Sequence, residues 1–139
     1  MTAAETLIRQ ASERDAPEIL ELIRIAMAVY ARNSGIGTLL DSQLETLDEL
    51  LAHMRTDHVL VAERRGKLVG TVRLVHCSDS DLAYFSRFAV LPSLHLSGVG
   101  KLLYKSAEDW LCSQGVRIIR LHTALSNRPL VAFYEARGF

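Results

Sequence analysis

The residues best suited to chemistry lie in one stretch, Phe88-Ala89-Val90-Leu91-Pro92-Ser93-Leu94-His95-Leu96-Ser97-Gly98-Val99-Gly100-Lys101-Leu102-Leu103. A strand pattern stops at Pro92, which cannot donate to a ladder, and apolar residues recur at helical spacing from Gly98 onward. A strand, a tight loop and a helix start bring unpaired backbone N–H groups to the positive end of a helix dipole. Glycines there let a bulky anion approach the backbone with no Cβ in its way. The chemistry is phosphate or diphosphate binding, and two common forms of it fail on spacing. A dinucleotide fingerprint needs glycine at 103, where Leu103 stands; a P-loop needs glycine at 95 and Ser or Thr at 102, where His95 and Leu102 stand.

A second constellation closes the chain: Asn127-Arg128-Pro129-Leu130-Val131-Ala132-Phe133-Tyr134-Glu135-Ala136-Arg137-Gly138-Phe139. Asn127 and Tyr134 are seven residues apart, about two helical turns, so both project over one face. Taken singly, Asn127 reads as an N-cap and Tyr134 as a core aromatic with a polar tip.

Together the two stretches resemble the GNAT N-acetyltransferase superfamily. Its diphosphate loop reads Arg or Gln, two residues, Gly, one residue, then Gly or Ala, after a strand ending in Val-x-Pro. His95-x-x-Gly98-x-Gly100 after Val90-Leu91-Pro92 is similar to it, with His95 in place of Arg or Gln and Leu96 where glycine is frequent. The C-terminal stretch is similar to the family's Asn-led helix ending in Tyr-Glu-x-x-Gly-Phe. The resemblance implies acetyl-CoA as co-substrate, its diphosphate on His95, Leu96, Ser97, Gly98, Val99, Gly100 and Lys101. Pantetheine would then pair like an extra strand with Phe88, Ala89 and Val90, Asn127 and Tyr134 would complete the cofactor site, and no metal takes part. Tyr134 is the implied general acid for the departing thiolate, and the Val90 N–H the donor to the thioester carbonyl. The activity implied is direct acetyl transfer to a primary amine; the alternative is an acyl-CoA-binding module that has lost turnover. Family members continue past Gly-Phe into a final strand or hairpin, so the resemblance also implies that this single domain, 1–139, lacks its last strand.

The general base is open at this level. Tyr84 and Ser86 fall where some members place one, and Glu63, Asp79, Asp81 or His76 could relay a proton through water. Residues 30–40 and the loop around Asp79 are expected to set acceptor specificity.

The elements that must position these groups follow from periodicity. A short strand over 6–11 leads through Ser12-Glu13-Arg14-Asp15, a capping box with Asp in place of Glu, into a helix over 16–32. Its inward face is Ile19, Leu20, Leu22, Ile23, Ala26, Met27 and Tyr30. A second amphipathic helix is predicted over 42–54, with Leu44, Leu47, Leu50 and Leu51 inward and Glu45, Asp48 and Glu49 facing solvent or a basic ligand. Strands follow over 58–63 and 68–75 as a hairpin through Arg64-Arg65-Gly66-Lys67, then over 82–91 after the turn Ser78-Asp79-Ser80-Asp81. A helix over 98–114 capped by Gly115, a strand over 116–121 and a helix over 129–136 complete the chain. The strand–helix–strand unit is long enough for a right-handed crossover, so the fold class is α/β: a mixed sheet, antiparallel first and parallel later.

Composition bounds the function. With 139 residues, 49% hydrophobic, and 16 basic against 16 acidic, the chain suits one core and offers no basic field for nucleic acid. No signal-like start and no membrane-length apolar run are present, which predicts a cytoplasmic protein with no membrane partner. Cys77 and Cys112 are far apart and read as buried free thiols. The histidines His53, His58, His76, His95 and His122 show no metal-ligand spacing. Acetyl-CoA and an amine acceptor are the expected partners, and a homodimer is an allowed arrangement.

Overall fold

The computed structural model describes residues 5–77 and 79–139. Met1 to Ala4 of the N-terminal reading, and Ser78 of the predicted turn, lie outside them. Five strands form one sheet in chain order: β1 (Leu7–Gln10), β2 (His58–Arg64), β3 (Lys67–His76), β4 (Leu82–Val90) and β5 (Ile118–Arg120). The first three pairings are antiparallel, and β4 pairs with β5 in parallel. The mixed α/β sheet expected from the sequence is therefore the architecture found.

Alternation along the strands sorts the core into two layers. Val59 and Val61 face α1 (Ala16–Asn33) and join Ile19, Leu20, Ile23 and Leu50 in one cluster. Leu60, Val72 and Leu74 face the other way and pack on Leu103, Tyr104, Ala107 and Leu111 of α4 (Val99–Ser113). Gly70 lets α4 sit close on the sheet, since a Cβ there would meet Leu103 Cδ2 at 3.3 Å. The hairpin turns at Arg65 and Gly66, φ 50° and 79°, the paired left-handed residues that match strand twist.

The predicted helix over 42–54 is two helices, α2 (Asp41–Leu44) and α3 (Leu47–Thr56). The apolar period runs through the break, but a reciprocal cap ends the continuity: Thr46 N–H donates to Glu49 at 2.9 Å, and Glu49 N–H to Thr46 Oγ1 at 3.2 Å. Leu50 is fully buried, whereas Leu44 and Leu47 are exposed. Glu45, expected outside, is buried because the break turns it onto Arg73 of β3, whose Nη2 donates to its carboxylate at 2.7 Å. Both cysteines are exposed rather than buried: Cys77 lies past the end of β3, and Cys112 follows buried Leu111 on the solvent side of α4.

Candidate active site

β4 carries a bulge that decides which of its residues face the site. Ser86 pairs with Arg73 and Ala89 with Thr71, so Arg87 and Phe88 together oppose Val72, and Arg87 takes φ 51°. The bulge shifts the alternation by one. Before it, Ala83 and Phe85 face α4; after it, Phe88 and Val90 do, while Ala89 joins the α1 layer.

The parallel pairing is short. It runs from Leu82–Ile118 to Tyr84–Arg120 and stops. Beyond it the chain after β5 is drawn toward the end of α1: Ala124 N–H donates to Tyr30 Oη at 2.8 Å, and Ser126 Oγ to the Ser34 carbonyl at 2.7 Å. Among the described residues β4 therefore runs on from Phe85 to Val90 without a strand paired on that side. Leu91 N–H donates to the Val69 carbonyl at 2.9 Å, which makes Val90–Gly70 a non-hydrogen-bonded pair. The N–H and C=O of Val90 thus point into the gap, and those of Ala89 back to β3. The Val90 carbonyl is taken by His95 Nε2 at 3.1 Å, which assigns that ring nitrogen as the donor.

At the end of the gap the chain turns into α4. Leu96 sits at φ 66° and Gly98, the residue preceding the helix, at φ 93°. Among the described residues, the N–H groups of Leu96, Gly98, Val99, Gly100 and Lys101 have no backbone partner, so five main-chain donors are unpaired in the loop and first turn of α4. Leu96 is fully exposed in a left-handed conformation that glycine would adopt without strain. Ser97 Oγ is turned back onto the Leu94 carbonyl. Gly100 faces Phe88 and Phe133, where a Cβ would stand 3.5 Å from Phe88 Cζ.

The gap widens into a cavity of about 360 Å³ between α1, α2, β4, the segment after β5, and α5 (Arg128–Glu135). Tyr134 lines it, its ring edge-on to Phe85, Phe133 and Phe139. Burial, reinforced by Tyr30, pushes the Tyr134 phenol above its ordinary range, so it keeps its proton. Among the described residues its hydroxyl has no protein partner, and Thr123 Oγ1, on the same wall, is buried and unpartnered.

Asn127 is not in this wall. It caps α5 through Leu130 N–H at 3.4 Å and donates to Ser34 Oγ at 3.3 Å, so its amide ties α5 to α1. Tyr84 and Ser86 do line the cavity, with Ser86 Oγ donating to the Arg73 carbonyl at 3.2 Å. Glu63 pairs with Arg9 and His76 with the Ser80 carbonyl; with Asp79 and Asp81, they lie outside it. Within residues 30–40, Tyr30 and Leu40 reach the wall. Asp41, Arg87 and His122 also reach it without having been picked out from the sequence. Arg87 carried a weak signal, a charge inside an otherwise apolar strand; the other two carried none.

Residues 40–139 match the acetyltransferase (GNAT) family. No curated protein matches the sequence. Among solved structures, the PaiA N-acetyltransferase from Thermoplasma acidophilum in complex with coenzyme A is similar at TM-score 0.84 and 21% identity, covering 96% of this chain and 89% of that one. An aminoglycoside acetyltransferase from an uncultured soil metagenomic sample, in complex with sisomicin, is similar at TM-score 0.76 and 19% identity, over 98% and 89%. The ribosomal-protein-S18-alanine N-acetyltransferase from Escherichia coli is similar at TM-score 0.77 and 19% identity, over 96% and 76%. At these identities the likeness is one of fold. Among the described residues no helix is long and apolar enough to cross a membrane.

Proposed function

The chain belongs to the GNAT acetyltransferase family, and from that premise we propose that it transfers an acetyl group from acetyl-CoA directly to a primary amine. One observation carries the reading: the unpartnered edge of β4 runs from the cavity holding Tyr134 to the five free N–H groups at the start of α4. A long ligand with an anionic middle and a reactive end fits that path. The amides of Leu96, Gly98, Val99, Gly100 and Lys101 would hold the diphosphate. The extended arm would lie along the free edge of β4, and the Val90 N–H, turned into the gap, would donate to the thioester carbonyl. Tyr134 holds the proton that the departing thiolate takes, and the acceptor occupies the cavity. His95 serves this path indirectly, by fixing the Val90 carbonyl and leaving its N–H as the free group.

Thermal unfolding with acetyl-CoA, NADH and ATP, followed by thiol release over a panel of amines, tests the reading. Acetyl-CoA at a hundred times its Kd should stabilise the protein by about 2.7 kcal/mol, with far less from the others. Equal shifts from all three overturn the CoA assignment. Stabilisation by acetyl-CoA with no thiol release from any amine would identify a CoA-binding module without turnover.

A further inference from the structure

Of the five histidines, four are committed to structural contacts. His53 Nδ1 lies 3.4 Å from Asp57 Oδ2. His58 stacks on Trp110 with ring centroids 3.7 Å apart. His76 meets the Ser80 carbonyl at 2.9 Å, and His95 the Val90 carbonyl at 3.1 Å. His122 is the exception. Among the described residues its exposed ring has no hydrogen bond, ion pair or aromatic partner, and it lines the cavity that Tyr134 lines. It reaches that wall because the Tyr30–Ala124 bond, two residues on, draws the chain after β5 away from β4.

Resting on the acetyl-transfer reading above, we propose that His122 is the general base, accepting the proton that the acceptor's ammonium must lose. The other titratable groups on the cavity are poorly suited. Asp41, from α2, offers a carboxylate, a weaker proton acceptor than an imidazole. Arg87, on β4, is a guanidinium and gives up no proton. Tyr30, on α1, is engaged by Ala124 N–H. Tyr134, on α5, holds its proton for the sulfur. Tyr84, at the β4 rim, offers a phenol hydroxyl, a donor more than a base. An imidazole takes and returns a proton in the working range.

The step balances as follows. One ammonium proton passes to an imidazole nitrogen of His122, freeing the nitrogen lone pair. A C–N bond forms to the acetyl carbon as the C–S bond breaks, and the sulfur leaves with its electron pair and takes the Tyr134 hydroxyl proton. The amide nitrogen sheds its second proton to solvent, and solvent reprotonates Tyr134. His122 returns its proton to solvent. The net yield is an amide, a free thiol and one proton.

His122→Gln and His122→Ala are made in the full chain and assayed with the best amine of the wild-type panel across about pH 5.5 to 9.5. The expected result is a fall in kcat of roughly tenfold to a hundredfold near neutrality, with the KM for acetyl-CoA unchanged. The inflection at which the wild-type kcat profile levels off above its acid limb should disappear, log kcat rising steadily with pH instead, and added imidazole should partly restore His122→Ala. Because the ring is exposed, both variants should melt with the wild type; if one misfolds, the other carries the test. Wild-type kcat and pH profile in a folded variant overturn the proposal. So does a lowered kcat that keeps the wild-type inflection and ignores imidazole, since that marks a structural role. A wild type that binds acetyl-CoA yet acetylates no amine fails earlier, at the catalytic reading, and removes this role with it.

Discussion

Tyr134→Phe isolates one hydroxyl. The ring contacts with Phe85, Phe133 and Phe139 survive the change, and the hydroxyl has no protein partner among the described residues, so no buried group is orphaned. The melting temperature and the affinity for acetyl-CoA should therefore stay near wild type. Burial holds the phenol protonated throughout the working range, so every molecule carries the donor. The same burial makes it a reluctant acid, and its contribution approaches that of a hydrogen bond to a developing thiolate, about 1.5 to 3 kcal/mol. That corresponds to a fall in kcat of roughly tenfold to a hundredfold, the lower end of general acid catalysis. The assay is thiol release under steady-state and single-turnover conditions, so that product release is shown not to limit the rate. Wild-type kcat across about pH 6 to 9 under those conditions refutes the proton-donor role. A rise in KM alone would make Tyr134 a binding residue.

Leu96→Gly should relieve left-handed backbone strain and raise stability by up to about 1 kcal/mol, read as a higher denaturant midpoint, with acetyl-CoA binding retained. A lower midpoint would contradict the assigned loop conformation. Glu45→Gln should cost about 3 to 5 kcal/mol, because Arg73 is buried and Arg87 Nε lies 3.7 Å from the same carboxylate, leaving two guanidiniums without a counter-charge. A loss under about 1 kcal/mol would show that the pair does not anchor α2. Asp15 accepts from Arg9 Nη1 at 2.8 Å and Nη2 at 2.9 Å, which lowers its carboxyl from 3.8 to about 2. A depressed carboxyl stabilises the fold above its unfolded value, so about 2 kcal/mol should be lost as pH falls from about 4 to 2. Comparing acid unfolding of Asp15→Asn with wild type checks it: the variant should lack that part of the pH dependence.

The types and order of nearly all elements were legible in the sequence, because each rests on a pattern that acts locally. Alternation set β2 and β3, three- and four-residue spacing set α1 and α4, Pro92 ended β4, and Gly115 at φ 80° ended α4. The run of unpaired amides leading into α4 was legible for the same reason, since main-chain N–H groups at a helix start have no carbonyl to meet. Tyr134 was legible as a residue over the cleft because helical pitch alone fixes its face. Tertiary structure decided the rest. The gap beside β4 depends on Tyr30 holding Ala124, 94 residues away in the chain, and the burial of Glu45 depends on Arg73, 28 residues away. Asn127 is legible as a cap from its place before α5, but its bond to Ser34 appears only in the fold. His122 looks like any other loop histidine until its four counterparts are found occupied. Local patterns specify backbone conformation and which face is apolar. Which polar side chains meet depends on contacts between distant segments, and no single segment encodes them.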